Sequence, residues 1–166
     1  MANTDTVKNA GLMYLLDSVN MNHWFVSLEN SVKNLTEEQA DWKQKASENS
    51  IREIVNHVNF YLLRFLGRFK GIPAAQKVNS NDDSFLNVSG ESWTDAENKL
   101  YQTMKEWREL TAAADHDTLS RPVFENGTGE WDKVIADIAL HAAYHAGQII
   151  TIRKQNGWWD SKDGVH

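Results

Sequence analysis

A chain of 166 residues with 41% apolar and 24% charged side chains and only two prolines has the size and composition of one globular domain that folds unaided. Its formal charge of −6 is spread without a Lys/Arg cluster, which leaves no footprint for nucleic-acid binding, and no apolar run approaches the ~20 residues that span a membrane. With no cysteine, disulfides, zinc thiolates and a thiol nucleophile are excluded, so any metal chemistry rests on His and carboxylates. The expectation is a single domain over 1–166, cytoplasmic because the N-terminus lacks a basic region followed by an apolar stretch. Its seven tryptophans are read as packing material.

Four segments carry apolar residues at helical spacing, which predicts an all-α four-helix bundle. The first runs from about Val7 to Val32, with Leu12, Leu15, Leu16, Val19, Val26 and Val32 inward. A short helical turn follows Thr36, whose capping-box partner is Gln39. The second segment opens at Ser50 with Glu53 three residues on, continues through Ile54, Val58, Leu62 and Phe69, and stops at Gly71 and Pro73. Residues 70–91 then form a polar connection able to span about 70 Å, against about 28 Å for the preceding helix, so helices two and three can run parallel. The third segment is expected to be capped by Thr94 with Glu97 and to continue through Leu100, Met104, Trp107 and Leu110. Asn126-Gly127 marks a hairpin-type turn within 115–129. The fourth segment spans about Glu130 to Gln155, with Trp131, Val134, Ile135, Ile138, Ile149 and Ile152 inward and Asn156-Gly157 as its stop.

Chemistry concentrates on histidine. His141 and His145, four apart, lie on one face of the fourth helix and fall in its inward stripe. Two imidazoles facing a core are costly unless each ring nitrogen finds a partner, and a metal ion supplies one to both. His57, beside the apolar stripe of the second helix, offers a third nitrogen from a facing element. Three His ligands leave coordination positions for water or substrate, and zinc, nickel, copper and iron all suit imidazole. Asn56 and Gln148, with Glu53 and Asp137 four residues before a ligand, stand where they can orient imidazole N–H groups, although both carboxylates are read first as solvated surface groups. His23 falls on the first helix's stripe and is read as a core-edge histidine, His116 as a solvated loop residue, and His166 closes the chain. No GxxxxGK or GxSxG occurs, so phosphate-loop and nucleophile-elbow chemistries are set aside.

The stretch Ser50-Ile51-Arg52-Glu53-Ile54-Val55-Asn56-His57, followed by the HxxYHxGQI motif of His141 to Ile149, resembles the DinB/YfiT-like family, as does Leu35-Thr36-Glu37-Glu38-Gln39 before Trp42. The resemblance spans nearly the whole chain and matches His57, His141 and His145 to the family's metal triad. It implies a four-helix bundle with a long connection between helices two and three, a divalent metal such as zinc or nickel, and a homodimer. It further implies a transferase that adds a low-molecular-weight thiol such as bacillithiol, mycothiol or glutathione to an electrophilic small molecule, with Tyr144, Asn56 and Gln148 as candidates for orienting roles. The alternatives are a metal-dependent hydrolase using the same ligands, and a non-catalytic metal-binding dimeric stress-response module for which Trp158-Trp159, if exposed, would serve as a partner surface.

Overall fold

The helices begin where short polar side chains can satisfy the free N–H groups of a first turn. The computed structural model describes residues 4–46, 48–72, 79–86 and 89–165, and among these it contains seven α-helices, two 310 turns and no strand. The first predicted segment is two helices, α1 (Thr4–Asn20) and the single-turn α2 (Leu28–Val32). Asn22 makes the break. Its Oδ1 accepts from the Ser27 N–H at 2.9 Å, and its Nδ2 donates to the carbonyls of Asp163 and Gly164 in the C-terminal tail. Ser27 then caps α2 through the Asn30 N–H. His23 therefore sits in an exposed loop, edge-on to Tyr14, and not at the core edge. Trp24 beside it is 89% exposed, an exception to the reading of the tryptophans as packing material.

Both predicted capping boxes form: Thr36 with Gln39 opens α3 (Glu37–Asp41), and Ser50 with Glu53 opens α4 (Ile51–Phe69). Past the end of α4, Gly71 takes a φ of 73°, while Pro73 lies outside the described residues. Helix α5 (Trp93–Ala113) starts one residue before Thr94, capped by Ser92 through the Asp95 N–H. Trp93 sets that start, because its ring is buried and its backbone N–H donates to the Glu37 carboxylate. His116 is the exposed first residue of α6 (His116–Ser120), capped by Asp115, instead of part of a loop. The chain then folds back through Gly127 and Gly129, both at positive φ, with the Val123 and Phe124 N–H groups donating to the carbonyls of Gly129 and Thr128. Helix α7 (Trp131–Gln155) follows and ends before Gly157, at a φ of 70°.

Four long helices build the core, from the wholly buried Leu16 on α1, Leu62 on α4, Leu100 and Trp107 on α5, and Ile135 and Ile149 on α7. Contacts rise together along α4 and α5: Arg52 bonds to Glu91 just before α5, Asn59 to the Ala96 carbonyl, and Lys70 to Glu106. The two helices are therefore parallel, as the long connection between them allows. Contacts between α4 and α7 run the other way, with His57 near His141 and His145 and Phe69 against Trp131. Trp158 and Trp159 are half-buried against their own chain and not exposed: Trp158 meets Trp42 edge-on and accepts from Arg153, whose guanidinium lies over the Trp159 ring. No described helix is long and apolar enough to cross a membrane.

Candidate metal centre

The capping box at Ser50 sets the phase of α4, so that Ile54 and Val58 are buried while His57, Tyr61 and Phe65 share a neighbouring face. On α7 the small buried residues Ala142 and Ala146 flank the histidines, and small side chains let facing helices approach. His57, His141 and His145 meet where the two helices face each other, with one ring nitrogen of each within 4.8 Å of the others. The His141 Nε2 lies 2.9 Å from the Nε2 of His145 and 3.1 Å from that of His57. His57 and His145 are each 5% exposed.

The outer nitrogens explain the tautomers. His57 Nδ1 is 2.6 Å from Ser84 Oγ, and that hydroxyl donates its own hydrogen to the Asn81 carbonyl, so it accepts from the imidazole. His145 Nδ1–H donates to Gln148 Oε1 at 2.7 Å. Both rings are thereby left with an unprotonated Nε2 aimed at His141. A single hydrogen on His141 Nε2 can serve only one of these neighbours, so in the neutral triad at least one close contact sets two lone pairs against each other. A cation between the three nitrogens removes that conflict, and the donor set, all imidazole, suits zinc or nickel. Burial, followed by the neighbouring His145 and His141, pushes His57 down to about 4, and burial with His145 does the same to His141. His145 is also lowered by burial, against the opposing bond to Gln148. At neutral pH all three are uncharged, the form in which imidazole binds a metal.

A 310 turn in the long connection, Asp82–Phe85, closes one side. Phe85 stacks on the His57 ring at 4.1 Å, and Tyr61 meets His57 and His141 edge-on while its hydroxyl bonds to Asn81. Asn56 braces this turn through the Phe85 carbonyl at 3.3 Å and does not reach an imidazole. Glu53 is committed to Ser50 and to Lys43, away from the rings. Gln148 does reach one, and its Nε2 donates to the Tyr144 hydroxyl. Ser84, Phe85 and Asn81 have no signal in sequence, since a loop residue some 27 positions from His57 carries no periodicity. Tyr61, four residues after His57 on the same helix, had one.

The triad lies in a cavity of about 690 Å³ walled by Phe65, Phe85, Phe124, Val134 and Ile138, with Asn49, Asp137, Tyr144 and Gln148 as polar members. Asn49, Tyr144 and Gln148 also line a cleft of about 600 Å³ beside Trp42, and Phe124 borders another of about 710 Å³. The cavity thus shares lining residues with two further recesses.

The sequence pattern of the DinB superfamily matches residues 26–149, three quarters of the chain, and covers all three histidines. No curated protein matches the chain in sequence. Among solved structures the chain is similar to YfiT from Bacillus subtilis, described as a probable metal-dependent hydrolase with an unusual four-helix bundle topology. The two share 15% identity and a TM-score of 0.65 over 96% of this chain and 93% of that one, a likeness of fold.

Proposed function

Because the chain belongs to the DinB superfamily, we propose that it is a divalent-metal-dependent enzyme adding a low-molecular-weight thiol to an electrophilic small molecule, with His57, His141 and His145 as ligands. The observation that carries this reading is the convergence of three Nε2 atoms, two of them fixed as acceptors, on the wall of a cavity large enough for a small molecule. An ion held by three imidazoles supplies Lewis-acid chemistry, lowering the pKa of a coordinated thiol or water. The chain has no cysteine, so the sulfur must come from outside. Its own residues then position and shield: Ser84 and Gln148 hold the imidazoles, Phe85 and Tyr61 keep water from one side, and Tyr144 presents a hydroxyl already oriented by Gln148. In this reading Asp137, an exposed carboxylate on the cavity wall, takes up the proton that a thiol loses and passes it to solvent. Two recesses that share walls with one cavity suit a reaction of two substrates.

The second reading is metal-dependent hydrolysis through the same ligands. It draws on the description of YfiT and on the same cavity.

One experiment separates them. Untagged protein should carry close to one zinc or nickel per chain by elemental analysis, falling to background in His57→Ala, His141→Ala and His145→Ala variants. Mixed with bacillithiol or glutathione and monochlorobimane, the loaded protein should form the thioether, sulfur replacing chloride and the proton passing to solvent, well above the uncatalysed rate. Ester cleavage without any thiol, and no acceleration of adduct formation, would favour hydrolysis.

A further inference from the structure

Among the described residues, Phe124 alone lines both the metal cavity and the recess of about 710 Å³. It comes from the fold-back segment before α7, where its N–H donates to the Thr128 carbonyl and its own carbonyl accepts from the Gly127 N–H. Asn126 Oδ1 tightens the same turn by accepting from the N–H and the hydroxyl of Thr128. The side chain of Phe124 is 40% exposed, so the bundle core does not hold it. Gly129 and Arg68 do. A Cβ placed on Gly129 would lie 3.3 Å from Phe124 Cδ2 and Cε2, closer than ordinary packing, so the ring rests against bare glycine backbone. From α4, the Arg68 guanidinium carbon stands over the ring, 4.8 Å from its centroid.

The space around the histidines has apolar walls, Phe65, Val134 and Ile138 among them, and Val123 and Ile72 carry apolar surface into the recess. A ligand whose head sits beside His57, His141 and His145 gains binding energy from every methylene that reaches such a wall, and gains nothing from one that does not. We infer that Phe124 sets the length of apolar substrate that the metal cavity accepts: the clamped ring closes the cavity toward the recess, and a smaller side chain at this position joins the two spaces into one. The inference rests on the proposed function only for what an ion does to the head of the ligand, because the length limit belongs to the walls.

Homologous n-alkanethiols and n-alkanols, from butyl to decyl, serve as rulers. Each is titrated by calorimetry into metal-free and cobalt-loaded protein, wild type, Phe124→Ala and Phe124→Leu, with the cobalt–thiolate absorption recorded alongside. Wild-type affinity should rise about three- to fourfold per methylene and then level off at one chain length. In Phe124→Ala the rise should continue past that length by two methylenes or more, so that the decyl compounds bind about tenfold more tightly than to wild type. The butyl compounds should bind as before, which shows an intact cavity. Phe124→Leu, which keeps an apolar anchor on the turn, should move the break by a smaller step. A break at the same length in all three proteins, a wild-type affinity that climbs to the decyl member without a break, or no binding of any member would overturn the inference. A break that moves in Phe124→Ala without any cobalt–thiolate band would leave it standing and instead remove thiol activation from the proposed function.

Discussion

At His57 and His145 the Nδ1 hydrogen bond decides what the ring can do, because committing that nitrogen's hydrogen to Ser84 or Gln148 leaves Nε2 as a lone pair. The same enclosure gives the metal-free protein a pH dependence. An unfolded chain protonates its histidines below their ordinary 6.5, whereas His57 and His141 in the folded chain resist until about 4. Over that window the unfolded state binds more protons, so stability present above pH 6.5 is lost as pH falls through about 4. Urea midpoints of metal-free protein should drop across this range, and less steeply in His141→Gln. A midpoint independent of pH there would contradict the burial of the triad. His141 and His145 were legible from their spacing alone, and His57 from its place beside an apolar stripe, because local helical geometry decides where each points. The roles of Gln148 and Asn56 were not equally legible. Both were placed near the imidazoles, but Gln148 lies three positions along the helix from its ring, while Asn56 turns to the Phe85 carbonyl 29 positions away.

Among the elements, the 310 turn at Asp82–Phe85 ties the long connection to the centre. Asp83 holds it shut by accepting from the N–H groups of Asn79 and Ser80, and Ser84 places its hydroxyl between the Asn81 carbonyl and His57. Ser84→Ala removes the acceptor from a buried N–H, a loss worth about 1–3 kcal/mol in stability. It also frees the ring to rotate, so zinc affinity measured by competition with a chromogenic chelator should fall about 10- to 100-fold. Unchanged zinc affinity in this variant would mean that His57 is held by packing against Phe85 alone. Capping boxes at Thr36 and Ser50 were readable because every partner lies within four residues. The break between α1 and α2 was not, since the bonds that hold Asn22 come from Asp163 and Gly164, more than 140 positions away. The start of α5 was misplaced for a similar reason: Thr94 and Ser92 are equally good caps locally, and the distant Glu37 settles the choice.

Across the whole molecule, the parallel course of α4 and α5 puts two further helices and a full-length connection between His57 and the other two histidines. His57 and His141 are 84 positions apart in the chain, while His141 and His145 are separated by one turn. An ion held by all three would therefore meet a local pair and a distant single partner. The local pair forms as soon as α7 does, whereas the distant nitrogen arrives only when α4 has docked, late in the search through chain conformations. Ions present during refolding should accordingly leave the rate of folding nearly untouched and slow the rate of unfolding, as expected for a contact absent at the barrier. Stopped-flow chevrons with and without zinc would show it as a displaced unfolding limb alone. Such a protein would own a clasp that does little to hasten assembly and a great deal to delay its undoing.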